Sequence, residues 1–319
     1  MRRNLILIFL IIIFNATGQD IHLSQYKNST FFTNPSFTSF QSSDYQVLLQ
    51  KRDQWQAVAD PFSTFIMSIE AKNGIKKNSY GIHFMNDIAG DARYQTSGSI
   101  INYSKSIRYN SNTFFAIGLS AGLYQRKISF DNLIFIEKEN FENVSFFYPD
   151  INLGLLNKKI ISNTIDLYSG LSVFHINRPN QSLLQSENEL LHTRINIHTK
   201  ANILLHDSWK ISPHVFFSKQ NVNEEFIIGS DLHYLLYKEK NIIFGFGTNY
   251  RHKDAVYWNA NIKVSSFELR LNYDVNISSL KTASNYYGAH EFLLSYKWNR
   301  KEKLKQIINI KQKKCPKYL

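Results

Sequence analysis

The histidine, serine and glycine residues of this 319-residue chain are the ones whose spacing could support chemistry. Its ten histidines include no His-Glu-x-x-His pattern, and His192 and His198, six residues apart, make a poor pair of metal ligands. Ser172 and His175 are three apart, so on a strand they would point to opposite faces and could not act together as nucleophile and base. One Gly-x-Ser-x-Gly sequence occurs, at residues 118–122, but it lies inside an alternating run that reads as a strand and not at a strand-to-helix elbow, and no phosphate-binding glycine loop occurs. The sequence therefore predicts no enzyme, no cofactor and no metal site.

The single cysteine, Cys315, lies four residues from the end of the sequence. One thiol excludes a disulfide scaffold and any metal site built from several cysteines. Cys315 is therefore either a free thiol or one partner of an intermolecular disulfide.

The first 18 residues have the three parts of a secretory signal peptide. Arg2 and Arg3 precede an unbroken apolar run, residues 5–14, which a small-residue Ala-x-Gly ending follows. The run is shorter than the roughly 20 apolar residues that a permanent transmembrane helix needs. A buried N-terminal helix or strand is the alternative, but the pattern favours an exported protein with a signal peptide over residues 1–18.

Apolar and polar residues alternate with period two along most of the remaining chain. Two such runs, 256–264 and 267–275, are separated only by Ser265 and Ser266, the length of a hairpin turn. Because side chains of a strand alternate between its faces, each run has one apolar and one polar face. The pattern predicts an all-β protein with about 14 strands, near residues 45–51, 64–71, 80–86, 94–107, 113–125, 147–156, 164–176, 193–205, 209–219, 226–237, 242–251, 255–264, 267–275 and 290–298.

Two architectures could bury or cover the apolar faces of these strands. A soluble sandwich, propeller or small barrel would place them in a core, whereas a transmembrane barrel would turn them to lipid. The polar faces carry charges such as Arg270 and Glu291, and Gly245 and Gly247 fall on the polar face of their run. Tyrosine and tryptophan recur at strand ends, as in the aromatic girdles of membrane barrels. These features favour a transmembrane antiparallel β-barrel of the outer membrane over residues 19–298.

Eight sequence blocks, in order, resemble one family, the PorP/SprF-type outer-membrane proteins of the type IX secretion system. The blocks are QDIHLSQY (19–26) followed by NP (34–35), RDQW (52–55), GIHF and NDIAG (81–90), GLSAGL (118–123), PDINLG (149–154), GLSVFH (170–175) with PN (179–180), GAHEF (288–292) and CPKY (315–318). Each block is weak alone, but their order and the unusual Cys-Pro ending make the resemblance specific. Ser36, Phe37 and His83 depart from the family pattern.

The resemblance implies an outer-membrane component of the type IX secretion system in a Bacteroidetes-like bacterium. Such a protein would support export or surface attachment of cargo with C-terminal signal domains, such as large gliding adhesins. Its partners would be the periplasmic ring, other secretion components, the cargo and outer-membrane lipid. A general porin or small-solute channel is the alternative function.

The motif positions are candidates for partner contact or for a structural role. Arg52, Gln54 and Trp55 either contact a partner or anchor a loop, or else provide a girdle aromatic and a charge that bonds lumen carboxylates. Asn86, Asp87, Gly90 and Asp91 form a polar stretch rich in turn formers, which favours a plain turn over a calcium loop. The full set is Asn34, Pro35, Arg52, Gln54, Trp55, Asn86, Asp87, Gly90, Asp150, Gly154, His175, Pro179, Gly288, Glu291, Cys315 and Pro316.

The formal net charge of +12 is concentrated at the end of the sequence. Residues 299–319 hold eight Lys or Arg and one Glu, and two arginines would leave with the signal peptide. The barrel region would then keep only a small positive excess, which argues against a nucleic-acid-binding face. We expect residues 299–319 to form a basic periplasmic tail that contacts acidic partners or anionic headgroups.

Overall fold

A computed structural model describes residues 20–54, 62–73, 77–90, 93–129, 143–182, 189–278, 281 and 286–300. It contains fourteen strands, and each coincides with one that the alternation predicts. They are β1 (Tyr45–Gln54), β2 (Phe62–Asn73), β3 (Asn78–Ala89), β4 (Tyr94–Arg108), β5 (Thr113–Ile128), β6 (Val144–Ser162), β7 (Ile165–Phe174), β8 (Arg194–His206), β9 (Trp209–Gln220), β10 (Asn223–Tyr237), β11 (Ile242–Arg251), β12 (Ala255–Val264), β13 (Phe267–Asn276) and β14 (Tyr287–Trp298).

The strands form one closed antiparallel barrel in which each strand pairs with its neighbours in sequence. The barrel closes between β1 and β14, with Tyr45 opposite Trp298 and Gln54 opposite Ala289. Closure leaves no unpaired sheet edge, which is the condition for strands to cross a bilayer. The predicted fold is therefore confirmed.

The outer face of the barrel is apolar and its inner face is largely polar. Outward side chains such as Ile101 and Phe147, both 64% exposed, alternate with buried inward ones such as Asn102 and Asp150. Gly245 and Gly247 face inward, where an added Cβ would meet Asn261 and Asp231 respectively. This is the alternation of a transmembrane barrel, in which lipid covers the apolar band.

The two ends of the barrel differ in the lengths of their connections. Every connection from an even-numbered strand to the next odd one has two to four residues. At the other end, residues 129–143 join β5 to β6 and residues 175–193 join β7 to β8. Short turns lie on the periplasmic side of outer-membrane barrels and longer loops on the outside, so β1 begins and β14 ends at the periplasmic end.

Residues 20–44 lie inside the barrel, and we refer to them as the inserted segment. They include a short helix, α1 (Thr30–Thr33), and a 3₁₀ helix, Pro35–Phe40, that packs against β2 to β6. No helix in the described ranges is both long and apolar enough to cross a bilayer. Within the predicted barrel region, the wall thus starts at Tyr45, and the preceding residues fill the lumen.

The polar stretch from Asn86 differs from the expected plain turn. Asn86 and Asp87 are paired residues of β3, opposite Ser97 and Thr96 of β4. Among the described motif positions of this stretch, it is Gly90, with a φ of 65°, that lies in the turn itself, and Asp91 lies outside the described residues. The strand continues because the side chains of both residues find partners on neighbouring strands: Asn86 Oδ1 accepts from Ser97 at 2.8 Å, and Asp87 accepts from Thr64 at 2.6 Å.

Candidate functional site: the inserted segment and the lumen wall

An apolar cluster holds the inserted segment against the wall. Leu23, Tyr26 and Phe31 of the segment are buried among inward side chains of the wall. These wall residues are Ile66, Met85, Ile100, Tyr124, Tyr148, Phe216, Ile227 and Tyr257. Burying each large apolar side chain stabilises the arrangement by about 1.5–3 kcal/mol. The lumen therefore contains a hydrophobic core as well as the predicted polar lining.

A charged cluster at the junction of β1, β11, β13 and β14 lies beside the segment. Arg52 bonds Glu291 at 3.1 Å and Asp274 at 3.2 Å, and Arg251 bonds Asp274 at 2.9 Å. All four side chains are at most 7% exposed. Buried charges of this kind are tolerated only when paired and hydrogen-bonded. We refer to these four residues as the central cluster.

Ser24 and Gln25 connect the inserted segment to the central cluster. Their backbone amides donate to the two carboxylate oxygens of Glu291, at 2.9 and 3.0 Å. The Ser24 hydroxyl donates to Asp274 at 2.7 Å and accepts from Arg52 at 2.8 Å. The central cluster therefore bonds backbone amides of the segment as well as one of its side chains, so the contact depends on the segment's conformation and on its sequence.

Three inward glycines on adjacent strands form a trough for the segment. Gly118, Gly154 and Gly170 lie on β5, β6 and β7, and Gly118 is paired with Gly154. A Cβ at Gly118 would come within 2.5 Å of the backbone of Pro35 and Ser36. Real side chains essentially never approach a backbone so closely. The absence of side chains in this trough therefore lets Asn34, Pro35 and Ser36 lie directly on the wall.

Asn34 fixes the segment in this glycine trough. Its side-chain amide donates to the carbonyl oxygens of Leu155 at 2.9 Å and Leu171 at 3.2 Å. Its side-chain oxygen accepts from the Ser36 amide at 2.9 Å, which caps the 3₁₀ helix. Pro35 occupies the first position of that helix, where its missing N–H costs nothing. The Asn-Pro motif is thus both a helix start and a wall contact.

The two departures from the family pattern also lie in this region. Phe37 stacks on His198, with ring centroids 4.9 Å apart. Phe31 stacks on His83 at 3.9 Å, and His83 faces inward from β3. The imidazole ring at position 83 is therefore explained by its contact with the inserted segment.

The segment begins at the outer end of the barrel. Asp20 lies 2.6 Å from Nε2 of His175 and 3.2 Å from Arg194, and its backbone amide donates to Gln220. These partners lie at the outer ends of β7, β8 and β9, and Nδ1 of His175 bonds Asp150 at 2.8 Å. The segment therefore starts beside the long loops and not at the periplasmic end where β1 begins.

Opposing effects set the protonation of Asp20 and His175 at the outer end of the barrel. Burial disfavours the charged imidazole, but the charge of Asp20 and the hydrogen bonds to Asp150 and Asp20 outweigh it and raise the pKa of His175 to about 9. Burial also disfavours ionised Asp20, but the charges of His175 and Arg194 hold its pKa well below the usual range. Asp20 and His175 consequently form an ion pair near neutral pH.

The remainder of the inserted segment, toward the periplasmic end, bonds both the barrel wall and the residues that follow β14. Lys27 pairs with Asp231 at 2.8 Å, within 3.2 Å of His214. Asp44 accepts from the backbone amide of Arg300 at 3.0 Å, directly after β14. The segment thus spans the lumen from the outer mouth to the periplasmic end.

The lumen keeps separate cavities around the inserted segment. One of about 290 Å³ lies at the outer mouth and is lined by His22, Arg52 and His252 among others. Two of about 190 and 140 Å³ lie on the periplasmic side of the segment, and both border Lys27 and Phe40. A larger apolar groove, about 760 Å³, runs over the outer face of β5 to β9 and belongs to the lipid-facing surface.

Many of the predicted site residues meet at the inserted segment. Asn34 and Pro35 belong to it, and Arg52, Asp150, Gly154, His175 and Glu291 contact it directly or through one intervening side chain. Gly288 lies in a β-bulge of β14, where a Cβ would come within 2.7 Å of the Asp274 carbonyl oxygen.

Other predicted positions lie apart from the segment. Gln54 accepts a hydrogen bond from Arg52 at 3.3 Å, and Pro179 accepts one from the Leu191 amide in the β7–β8 connection. Asn86, Asp87 and Gly90 belong to β3 and its turn. Trp55, Cys315, Pro316, the signal peptide and residues 301–319 lie outside the described residues.

Sequence reasoning missed Arg251, Asp274 and the glycine trough as parts of the site. Inward glycines on three adjacent strands, two of them directly paired, and unlike charges on neighbouring strands were the available signals. Both become visible only once strand register is known. In the described part of the chain, no group of three or more His, Cys, Asp or Glu side chains is arranged to hold a metal ion.

Solved structures of similar shape are outer-membrane barrels. The CymD monoaromatic hydrocarbon channel has a TM-score of 0.52 and 8% identity, covering 89% of this chain and 95% of its own. The Ralstonia pickettii toluene transporter TbuX has a TM-score of 0.52 and 8% identity, covering 84% of this chain and 92% of its own. At such low identity these similarities concern the fold alone. No curated protein matches the chain.

The family comparison covers most of the sequence and agrees with the motifs that converge on the lumen. The family model described as type IX secretion system membrane protein PorP/SprF matches residues 15–296. The chain, an outer-membrane β-barrel, belongs to this PorP/SprF family.

Proposed function

We propose that this protein supports the export or surface attachment of type IX cargo, such as large gliding adhesins, through protein–protein contacts. Membership of the PorP/SprF family implies association with other type IX secretion components. Contacts with the periplasmic ring, and with cargo bearing C-terminal signal domains, are the finer part of the proposal. The family match over residues 15–296 is the observation that carries it.

The inserted segment supports a binding role over a general porin. Apolar packing, the central cluster and the glycine trough hold residues 20–44 across the lumen. The remaining lumen cavities are of about 290, 190 and 140 Å³, lying on either side of the segment. An aqueous channel for small solutes needs a continuous wet lumen. Several of the polar side chains singled out in the sequence, such as Arg52, His175 and Glu291, contact the segment, which favours a structural or binding role over catalysis.

Deletion of the gene, followed by comparison of the surface and culture-fluid proteomes, tests the proposal. We expect one or more type IX cargo proteins to be lost from the surface or retained in the periplasm, and the wild-type gene to restore them. Unchanged export and attachment of every type IX cargo would contradict the secretion role.

Conductance in planar bilayers tests the alternative, a porin. Since the inserted segment fills the lumen, we expect the purified full chain to show little steady conductance, and a variant lacking residues 21–43 to show more. Large, steady conductance of the unaltered chain would support the channel function.

A further inference from the structure

The periplasmic half of the lumen carries an excess of positive charge on one wall. Here β8 to β14 turn five cationic side chains inward, close to the strand ends that the short turns join. They are Lys200, Lys210, Lys263, Arg270 and Lys297. Lys27 of the inserted segment faces the same space. We refer to these six residues and the space they face as the basic vestibule.

Three carboxylates face the basic vestibule and compensate only part of its charge. Asp231 pairs with Lys27 at 2.8 Å. Glu268 pairs with Arg270 at 2.6 Å and with Lys297 at 3.2 Å. The third carboxylate, Glu70, is 5% exposed and lines the smaller periplasmic cavity.

Lys200, Lys210 and Lys263 form no ion pair with a carboxylate of the described chain. Lys200 experiences the charge of Asp231 and also the like charges of Lys27, Lys210 and Arg270. Half-buried cations in a confined lumen lose hydration and repel one another, and a bound anion relieves both penalties. The vestibule is therefore an anion-binding wall for which the described carboxylates supply only part of the counter-charge.

The extent of the wall indicates what kind of anion fits. From β8 to β14 there are six interstrand steps, which at about 4.8 Å each extend over about 29 Å around the wall. A single phosphate or carboxylate would meet only one or two of the cations. An extended peptide of about nine residues covers the same distance at 3.3 Å per residue. Periplasmic cavities of about 190 and 140 Å³ provide room for its acidic side chains.

We propose that the basic vestibule binds an acidic polypeptide segment that enters from the periplasm. The chain's own C-terminal residues, 299–319, cannot supply it, because they carry eight Lys or Arg and one Glu. Bilayer lipid is separated from this space by the barrel wall, which leaves a soluble periplasmic protein as the source. Identifying that protein as a secretion component rests on the proposed function, whereas the binding itself does not.

Fluorescence anisotropy with fluorescein-labelled nonaglutamate tests the site on the purified full chain in detergent. We expect salt-sensitive binding that the triple variant K200Q/K210Q/K263Q weakens about tenfold or more. The control triple variant K105Q/K127Q/K159Q removes the same charge from exposed positions and should bind within about twofold of the unaltered chain. Heat-modifiable migration on gels verifies that both variants are folded; if the first triple does not fold, the single variants K210Q and K263Q replace it.

Three results would overturn the proposal. One is equal weakening by the two triple variants. Another is loss of binding only when the lysines of residues 301–319 are replaced by glutamine, which would assign the peptide to the tail. A third is complete displacement of the peptide by inorganic phosphate at the same total concentration of negative charge, which would indicate a small-anion site. The binding assay does not depend on secretion. Peptide binding can therefore be absent while cargo export still requires the protein, or be present while cargo export is unchanged, and the two experiments distinguish these outcomes.

Discussion

His175 is the residue through which pH acts on the start of the inserted segment. Its imidazole lies between Asp20 and Asp150, with Arg194 beside Asp20. Because its pKa is raised from 6.5 to about 9, its contribution to stability is fully present below about pH 6.5 and is lost as pH rises through 9. Asp20 has a lowered pKa, so its contribution is lost only in acid, as pH falls below the usual range of an aspartate.

We therefore expect the stability of the barrel to fall between pH 7 and pH 10 by roughly 1–3 kcal/mol, and the His175→Gln variant to lack most of this fall. Thermal unfolding in detergent, followed by heat-modifiable gel migration across the pH range, measures it. His206→Gln, an exposed histidine at the periplasmic end, is the matched control. An identical pH profile for His175→Gln and the unaltered chain would show that the ion pair contributes nothing.

Gly118 is the residue where a single side chain would displace the segment. A Cβ there would lie 2.5 Å from the backbone of Pro35 and Ser36, which no rotamer change can relieve. We expect Gly118→Val to cost about 1–3 kcal/mol and to make residues 20–44 sensitive to protease. Ala121→Val, on the exposed face of the same strand, is the control and should change neither property. Protease resistance of Gly118→Val equal to that of the control would contradict the glycine trough.

The barrel-closing strands, β1 and β14, are joined by charge as well as by backbone pairing. Arg52 and Glu291 are directly opposite each other in the ladder, and both contact the inserted segment. Neutralising Arg52 alone leaves Glu291 and Asp274 facing each other with Arg251 as the remaining cation. Removing one partner of a buried pair costs about 3–5 kcal/mol, whereas replacing both partners is often nearly neutral.

The single variant Arg52→Gln should accordingly destabilise the barrel by about 3–5 kcal/mol, and the double variant Arg52→Gln/Glu291→Gln should recover part of that loss. Denaturant unfolding of the refolded barrel measures both variants. The pair Lys51–Asp53 of the same strand, whose lysine is 55% exposed, serves as the control, because pairs open to solvent contribute at most about 1 kcal/mol. Additive losses in the double variant would indicate that the two side chains act independently.

Strands and inserted segment differ in how far the sequence predicts them. Every strand has an apolar face of period two, because lipid on one side and a polar lumen on the other impose the same alternation along the whole strand. Residues 20–44 have no such period, since their contacts are spread over many different strands. The Ser24-Gln25 and Asn34-Pro35 motifs marked the segment, but their partners on β5, β6, β13 and β14 are set by register, which composition does not encode.

At the scale of the whole molecule, the inserted segment places its two described ends at opposite ends of the barrel. An even number of strands places the start of β1 and the end of β14 on one side, as the sequence predicts. The preceding residues, however, run back through the lumen, so that Asp20 lies beside the outer loops and Asp44 at the periplasmic end. The protein thereby exposes different parts of its N-terminal region on the two sides of the outer membrane.

This sidedness predicts opposite labelling of two cysteines placed in the inserted segment. His22 is 39% exposed on the outer-mouth cavity, and Ser42 is exposed at the periplasmic end. In a Cys315→Ser background, we expect a membrane-impermeant maleimide to label His22→Cys in intact cells, and Ser42→Cys only after the outer membrane is permeabilised. Labelling is quantified by gel shift on the folded barrel, with the Cys315→Ser parent as the blank. The reverse pattern would place the short turns outside the cell, and equal labelling of both cysteines in intact cells would mean that the segment leaves the lumen open to the reagent.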